Sequence, residues 1–234
     1  MRSNFKICTS LGYIDTPEIL SILGKVEMAE LRLDLLKLSG RDLKTIFGNH
    51  DCLIATCRRG LYGDEYSGKL LEEAAKAGAA YINIDVEGSG CNGWEEKMTD
   101  IARKNSCKVI YSYHCSTHTP TINELKQLAN SMISVGADIV KIETKTISHI
   151  DNSNLLSLYS TYENLVVIGI GGQGVITRIA APFLGAPFTF VSYENGKTAP
   201  WQIDYFEMKD ILEWLISNEK CNIKESIIAK SIKV

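Results

Sequence analysis

Hydrophobic residues in this chain come in short, nearly continuous runs, separated by longer stretches with helical spacing. Eight runs read as strands: Phe5 to Thr9, Met28 to Leu33, Cys52 to Cys57, Tyr81 to Val86, Lys108 to Tyr113, Ile139 to Ile142, Leu165 to Ile170 and Phe188 to Tyr193. Runs this short and this apolar suit parallel strands buried on both faces. Helices are predicted between and after them, at Thr16 to Gly24, Asp42 to Phe47, Glu65 to Gly78, Trp94 to Asn105, Thr121 to Val135, Asn152 to Tyr162, Gly174 to Leu184 and Tyr205 to Ser217. Several carry their own punctuation. Pro17 stands at a helix start and Gly24 at its end. Thr121 followed three residues on by Glu124 is a capping box. Gly78 and Gly136 close the helices that precede them.

Alternating strand and helix units of this number predict an α/β architecture, a (β/α)8 TIM-type barrel. The rival, an open doubly wound sheet, lacks its usual signature, because no GxGxxG follows the first strand. No linker-like or low-complexity stretch divides the chain. Residues 1–234 are therefore read as a single catalytic barrel domain, with 218–234 a tail that fits helix, extra strand or loose end. A barrel brings the C-terminal ends of its strands to one face. Ser10, Glu30, Arg32, Arg58, Asp85, Glu87, His114, Lys141 and Arg178 all fall at such ends or in the loops beyond. Core packing does not account for so many polar groups on so many strands.

Lys141 lies inside the apolar run from Ile139 to Ile142. Burying an ammonium is costly and favours the neutral amine, a nucleophile towards carbonyls, whereas a lysine at a strand end can instead snorkel to water. His114 ends the preceding strand. Neighbouring parallel strands lie about 4.8 Å apart, so the two side chains can reach one substrate. An imine on the lysine acidifies the adjacent carbon, and a histidine can take that proton and later pass it to a leaving hydroxyl. That kit suffices for an elimination β to a carbonyl with no metal and no cofactor. Arg32, Arg58 and Arg178 suit a carboxylate or phosphate, or else surface salt bridges; Asp34 and Glu30 flank Arg32 and can pair with it. The turn Gly171 to Gly174 can cradle a phosphate at a helix start, or simply satisfy a tight backbone turn.

Composition narrows the setting. The chain has 234 residues, a net charge of −3 and no long basic run, which argues against nucleic acid as a partner. Its seven cysteines are odd in number and form no CxxC pair, which fits reduced thiols in a cytoplasm. No apolar run reaches the roughly 18 to 20 residues of a membrane span, and the opening residues hold no signal-type apolar segment. A cytoplasmic enzyme acting on a small molecule is expected.

Six motifs together resemble the type I 3-dehydroquinate dehydratases, the metal-free Schiff-base enzymes of the shikimate pathway. They are Glu30-Leu-Arg32, Tyr81-Ile-Asn-Ile-Asp-Val-Glu87, Ser112-Tyr-His114, Asp138-Ile-Val-Lys141, Gly174-Val-Ile-Thr-Arg178 and Thr198-Ala-Pro-Trp-Gln202, in family order over nearly the whole barrel. The resemblance implies that Lys141 forms the Schiff base and His114 transfers protons. It implies that Ser10, Glu30, Arg32, Arg58, Arg178, Thr198 and Gln202 bind substrate, with Arg178 on the carboxylate and Glu30 and Arg32 on ring hydroxyls. The implied reaction is dehydration of 3-dehydroquinate to 3-dehydroshikimate, and a homodimer through barrel helices is a family-level expectation. The chain also departs from the pattern. The family has an acidic residue after its third-strand arginine that assists the histidine, and Tyr62 stands roughly there. Asp64 and Glu65 are its candidate substitutes. Trp201 replaces a glycine in a loop that can cover substrate, and Ile170 stands where a methionine is common. Two other readings use the same residues: an aldolase-like lyase on a phosphorylated ketose, and a catalytically degraded barrel that binds a small carboxylate.

Overall fold

The eight predicted strands all form, and all pair in parallel. In the computed structural model, which describes residues 5–86, 93–194, 198–199 and 201–231, they are β1 (Lys6–Leu11), β2 (Met28–Arg32), β3 (Leu53–Thr56), β4 (Tyr81–Asp85), β5 (Lys108–Cys115), β6 (Ile139–Lys145), β7 (Leu165–Ile170) and β8 (Phe188–Val191). The helices are α1 (Thr16–Leu23), α2 (Gly40–Phe47), α3 (Arg59–Lys76), α4 (Gly93–Lys104), α5 (Ile122–Ser134), α6 (His149–Ser157), α7 (Val175–Leu184) and α8 (Tyr205–Ser231). Strand order is β7-β6-β5-β4-β3-β2-β1-β8, so each strand lies beside its neighbour in sequence and β8 returns to β1. This is the (β/α)8 barrel that the alternation predicts. Glu87 lies outside the described residues.

Two hydrophobic layers follow from the period-2 pleat of the strands. Outward-facing residues such as Leu31, Ala55, Ile82, Val109 and Ile142 are buried against helix residues such as Ile46, Leu71, Ala102, Leu125 and Leu155. Inward-facing Cys8, Met28, Ile54, Ile110, Ile139, Val166, Phe188 and Phe190 fill the barrel interior. With that filling below, the polar residues at the strand ends occupy the upper face.

Local chemistry moves some boundaries. Helix α2 starts at Gly40 because Ser39 and Asp42 form a capping box, and α6 starts at His149 because Ser148 and Asp151 form another. Helix α3 begins at Arg59, well before the expected Glu65, and is two helical pieces joined at Gly63, whose φ of 76° and ψ of 172° suit glycine. The tail is helical in backbone through Ser231, continuing α8. Among the described residues no helix is long and apolar enough to cross a membrane.

The glycine turn answers a packing need. A Cβ on Gly174 would sit 2.3 Å from the Gly169 carbonyl oxygen, and one on Gly169 would sit 2.6 Å from the Gly174 Cα. This close approach lets Thr177 Oγ accept from the Gly169 N–H and donate to the Gly174 carbonyl, at 2.8 and 2.7 Å. The start of α7 is thereby locked to β7. Helix α7 also reaches β8, where Thr189 donates to the Arg178 carbonyl at 2.8 Å. Gly174→Ala keeps an ordinary φ of −75° but adds the clash. It is expected to lower unfolding free energy by about 1–3 kcal/mol, read from the denaturant midpoint.

Candidate active site

Lys141 and His114 owe their positions to the β5–β6 ladder, in which Ser112 faces Lys141 and His114 faces Glu143 in register. Residues two apart on a strand share a face, so Lys141 and Glu143 both point into the barrel. Lys141 is buried. Its Nζ lies 3.7 Å from Glu143 Oε2, 4.0 Å from Glu30 Oε1 and 4.3 Å from the centre of the Phe190 ring. The lysine does not snorkel to water; it is surrounded by carboxylates and an aromatic face, not by the purely apolar pocket its strand suggests.

His114 stands between two carboxylates. Its Nε2 is 3.1 Å from Asp85 Oδ1, and its Nδ1 is 3.1 Å from Glu143 Oε2. Burial works against the imidazolium, but Asp85 and Glu143 together outweigh it and raise the His114 pKa above its ordinary value. The carboxylates respond in the opposite sense. Burial disfavours the charged form of Asp85, yet His114 and a 2.6 Å hydrogen bond from Ser112 hold its pKa down. Glu143 is held well below the usual carboxylate range against its own burial, by His114 and Lys141.

On the other side of the lysine, Glu30 accepts hydrogen bonds from Ser10 at 2.6 Å and Thr56 at 2.8 Å. Ser10 in turn meets Thr198 at 2.9 Å, and the Gln202 side chain accepts from Thr198 and from the Ala199 N–H at 3.2 and 3.3 Å. Thr198, Ala199 and Gln202 are thereby linked to the end of β1. Arg32 is committed to Asp34 by two hydrogen bonds of 3.0 and 2.6 Å, the internal pairing its neighbours suggest. Arg58 is partly exposed, with Nη2 3.4 Å from His114 Nδ1. Arg178 differs from both. It is buried and donates to the Phe190 carbonyl at 3.2 Å, yet among the described residues no carboxylate lies within 4.0 Å of it. A buried guanidinium without an acid partner has capacity for an anionic ligand.

One cleft is lined by all nine residues to which the resemblance gives a role: Ser10, Glu30, Arg32, Arg58, His114, Lys141, Arg178, Thr198 and Gln202. Thr56, Asn83, Glu143, Ile168 and Phe190 join them. Glu143 is the consequential omission. Its signal was present, since a strand extended past Ile142 puts Glu143 on the lysine's face. The candidates for the missing acid near Tyr62 turn elsewhere. Tyr62 is 50% exposed, packs on Tyr66 and reaches the Asp34 carbonyl. Asp64 pairs with Arg59 at 3.4 Å. Trp201 is 56% exposed, has a φ of 69° and stands over Gly172 beside the cleft.

A buried lysine and a carboxylate-flanked histidine at the C-terminal mouth of a (β/α)8 barrel are the groups that a Schiff-base lyase uses. The comparisons with known proteins are specific. The type I 3-dehydroquinase family model matches residues 7–219. A 3-dehydroquinate dehydratase of Dehalococcoides mccartyi is 33% identical over 214 residues, covering 88% of this chain and 93% of the relative. One from Coxiella burnetii is 32% identical over 199 residues, covering 80% and 82%. Among solved structures, the 3-dehydroquinate dehydratase of Aquifex aeolicus superposes with a TM-score of 0.76 at 25% identity, over 89% of this chain and 98% of that one. The type I enzyme of Clostridium difficile, at 22% identity, TM-score 0.78 and coverage of 91% and 93%, shares the fold. The chain belongs to the type I 3-dehydroquinase family.

The paired shifts predict opposite pH dependences. His114, with a raised folded pKa, contributes stability that is present below about pH 6.5 and lost as pH rises through the folded value. Asp85 and Glu143, with depressed values, contribute stability present above about pH 4.5 and lost as pH falls through them. Titration of the His114 ring by NMR should give a midpoint above 6.5, and Asp85→Asn should lower it.

Proposed function

We propose that Lys141 and His114 carry out the dehydration of 3-dehydroquinate to 3-dehydroshikimate. The reaction follows from the family: the chain is a hydro-lyase of the shikimate pathway that works through a lysine Schiff base. What is proposed is the assignment of roles to residues. Lys141 condenses with the substrate ketone. Neutral His114 removes a proton from the adjacent carbon, and the electrons move into the imine. Protonated His114 then delivers a proton to the hydroxyl leaving from the carbon that bears the carboxylate. Hydrolysis of the imine releases the product and restores the amine.

The observation that supports this most is the 3.7 Å and 3.1 Å spacing that strings Lys141, Glu143 and His114 along one edge of the cleft. Arg178 fits the substrate carboxylate because it is a buried cation without an acid partner among the described residues. Glu30, Ser10, Thr198 and Gln202 form a hydrogen-bonded set suited to ring hydroxyls, with Arg32 and Arg58 at its margin. The phosphate-binding reading loses its main support, since the glycine turn is used to pack β7 against α7. We also place residues 1–234 in one catalytic domain acting in the cytoplasm as a homodimer. The reduced-type cysteine pattern and the family resemblance support that reading; the small net charge speaks against a nucleic-acid partner, and the shortness of the apolar runs against a membrane span.

Borohydride reduction in the presence of 3-dehydroquinate should leave a stable mass adduct on the peptide carrying Lys141. No adduct on the native chain, or an adduct on another lysine, would overturn the assignment. Arg178→Gln should raise KM by roughly tenfold to hundredfold, the cost of losing a charged partner for a carboxylate. An unchanged KM would remove Arg178 from substrate binding.

A further inference from the structure

Glu143 is a buried carboxylate between the two groups that the reaction uses. One oxygen, Oε2, is 3.7 Å from Lys141 Nζ and 3.1 Å from His114 Nδ1. It is the nearest carboxylate oxygen to the lysine among the described ion pairs, since Glu30 stands at 4.0 Å and is already engaged by Ser10 and Thr56. Asp85 holds the opposite edge of the imidazole, and its own second partner is Ser112. Glu143 is therefore the carboxylate nearest to hand for a proton leaving Lys141.

We propose that Glu143 is a further proton-transfer residue of this site, which relays the proton of Lys141 during imine formation and positions His114. The inference rests on the assignment of Lys141 as the Schiff-base lysine. The balance is closed. The ammonium gives one proton to the Glu143 carboxylate, and the free amine adds to the ketone. A second proton passes from the nitrogen to the new alkoxide and gives a neutral carbinolamine. Glu143 returns its proton to that hydroxyl, the C–O bond breaks, water leaves and the nitrogen lone pair forms the iminium, which keeps one N–H. Glu143 ends as it began, ionised beside His114.

The groups facing Glu143 fit a temporary proton. Lys141 shares its strand, His114 faces it from β5, Arg58 comes from the end of β3 to 4.0 Å, and Arg178 acts on it from α7. Glu30 and Asp85 lie one group further away, beyond the lysine and the histidine respectively. These cations keep the carboxylate ionised at rest, so it is ready to accept. They also make the protonated form short-lived, so the proton is returned readily.

The test is Glu143→Gln, nearly isosteric and unable to accept a proton, studied with 3-dehydroquinate and borohydride under single-turnover conditions. The native chain is the control for the lysine. If it gives no adduct at Lys141, the underlying assignment fails and Glu143 is not at issue. Given a native adduct, the variant should form it about tenfold to hundredfold more slowly near pH 7, in the range of one general acid–base group. The deficit should shrink as pH rises and solvent hydroxide takes over deprotonation of the lysine. A purely structural role would slow the variant equally at every pH. Glu143→Ala with added formate is the second variant: formate should restore part of the rate if the space accepts a small carboxylate. Native adduct formation by Glu143→Gln at neutral pH, or a pH-independent loss with no formate rescue, would overturn the proposal.

Discussion

Five ionisable groups line the mouth of the barrel, acids alternating with bases: Asp85, His114, Glu143, Lys141 and Glu30. Successive members are 3.1, 3.1, 3.7 and 4.0 Å apart. Each is buried or nearly so, and each would be costly to bury alone. Together they make a chain in which each acid stands beside a base. The parallel register of β5 and β6 is what creates it, because it sets His114 opposite Glu143 and leaves Lys141 one pleat below. The rest of the fold serves that register. The apolar interior beneath supports it, and Phe190 and Ile168 close the floor of the cleft.

Against this chain, Arg178 stands out as a cation with no acid partner among the described residues. Its backbone is fixed by the lock between β7, α7 and β8, through Thr177 and Thr189. On the proposed roles, the substrate carboxylate pairs with this cation. On those roles the substrate lies between Arg178 and the Lys141 amine. The hydroxyl set from Glu30 to Gln202 borders the same space. Specificity and chemistry thus draw on the same arrangement of charges.

Much of this was legible from residues alone. Strand positions were legible because a parallel strand buried on both faces leaves an unbroken apolar run, as in Leu165 to Ile170. The nine site residues were legible because a barrel gathers strand ends and because short motifs fell in family order. Glu143 escapes such a reading, because the sixth apolar run ends at Ile142 and a polar end continues the pleat without that signal. The roles of Tyr62 and Asp64 were not legible either. Whether a side chain on a helix start turns to the cleft or to the surface depends on the kink at Gly63, which local composition does not specify. The same holds for α3, whose first turns lack an amphipathic pattern and still form.

The central claim is that this charge chain dehydrates 3-dehydroquinate through Lys141. The most direct measurement is ultraviolet absorbance on mixing the purified chain with 3-dehydroquinate, beside Lys141→Ala. The product conjugates its carbonyl with a new C=C bond and absorbs where the substrate does not. The account predicts a rise with the native chain and none with a folded Lys141→Ala variant. Equal rises from both would contradict it, as would no rise from a folded native chain.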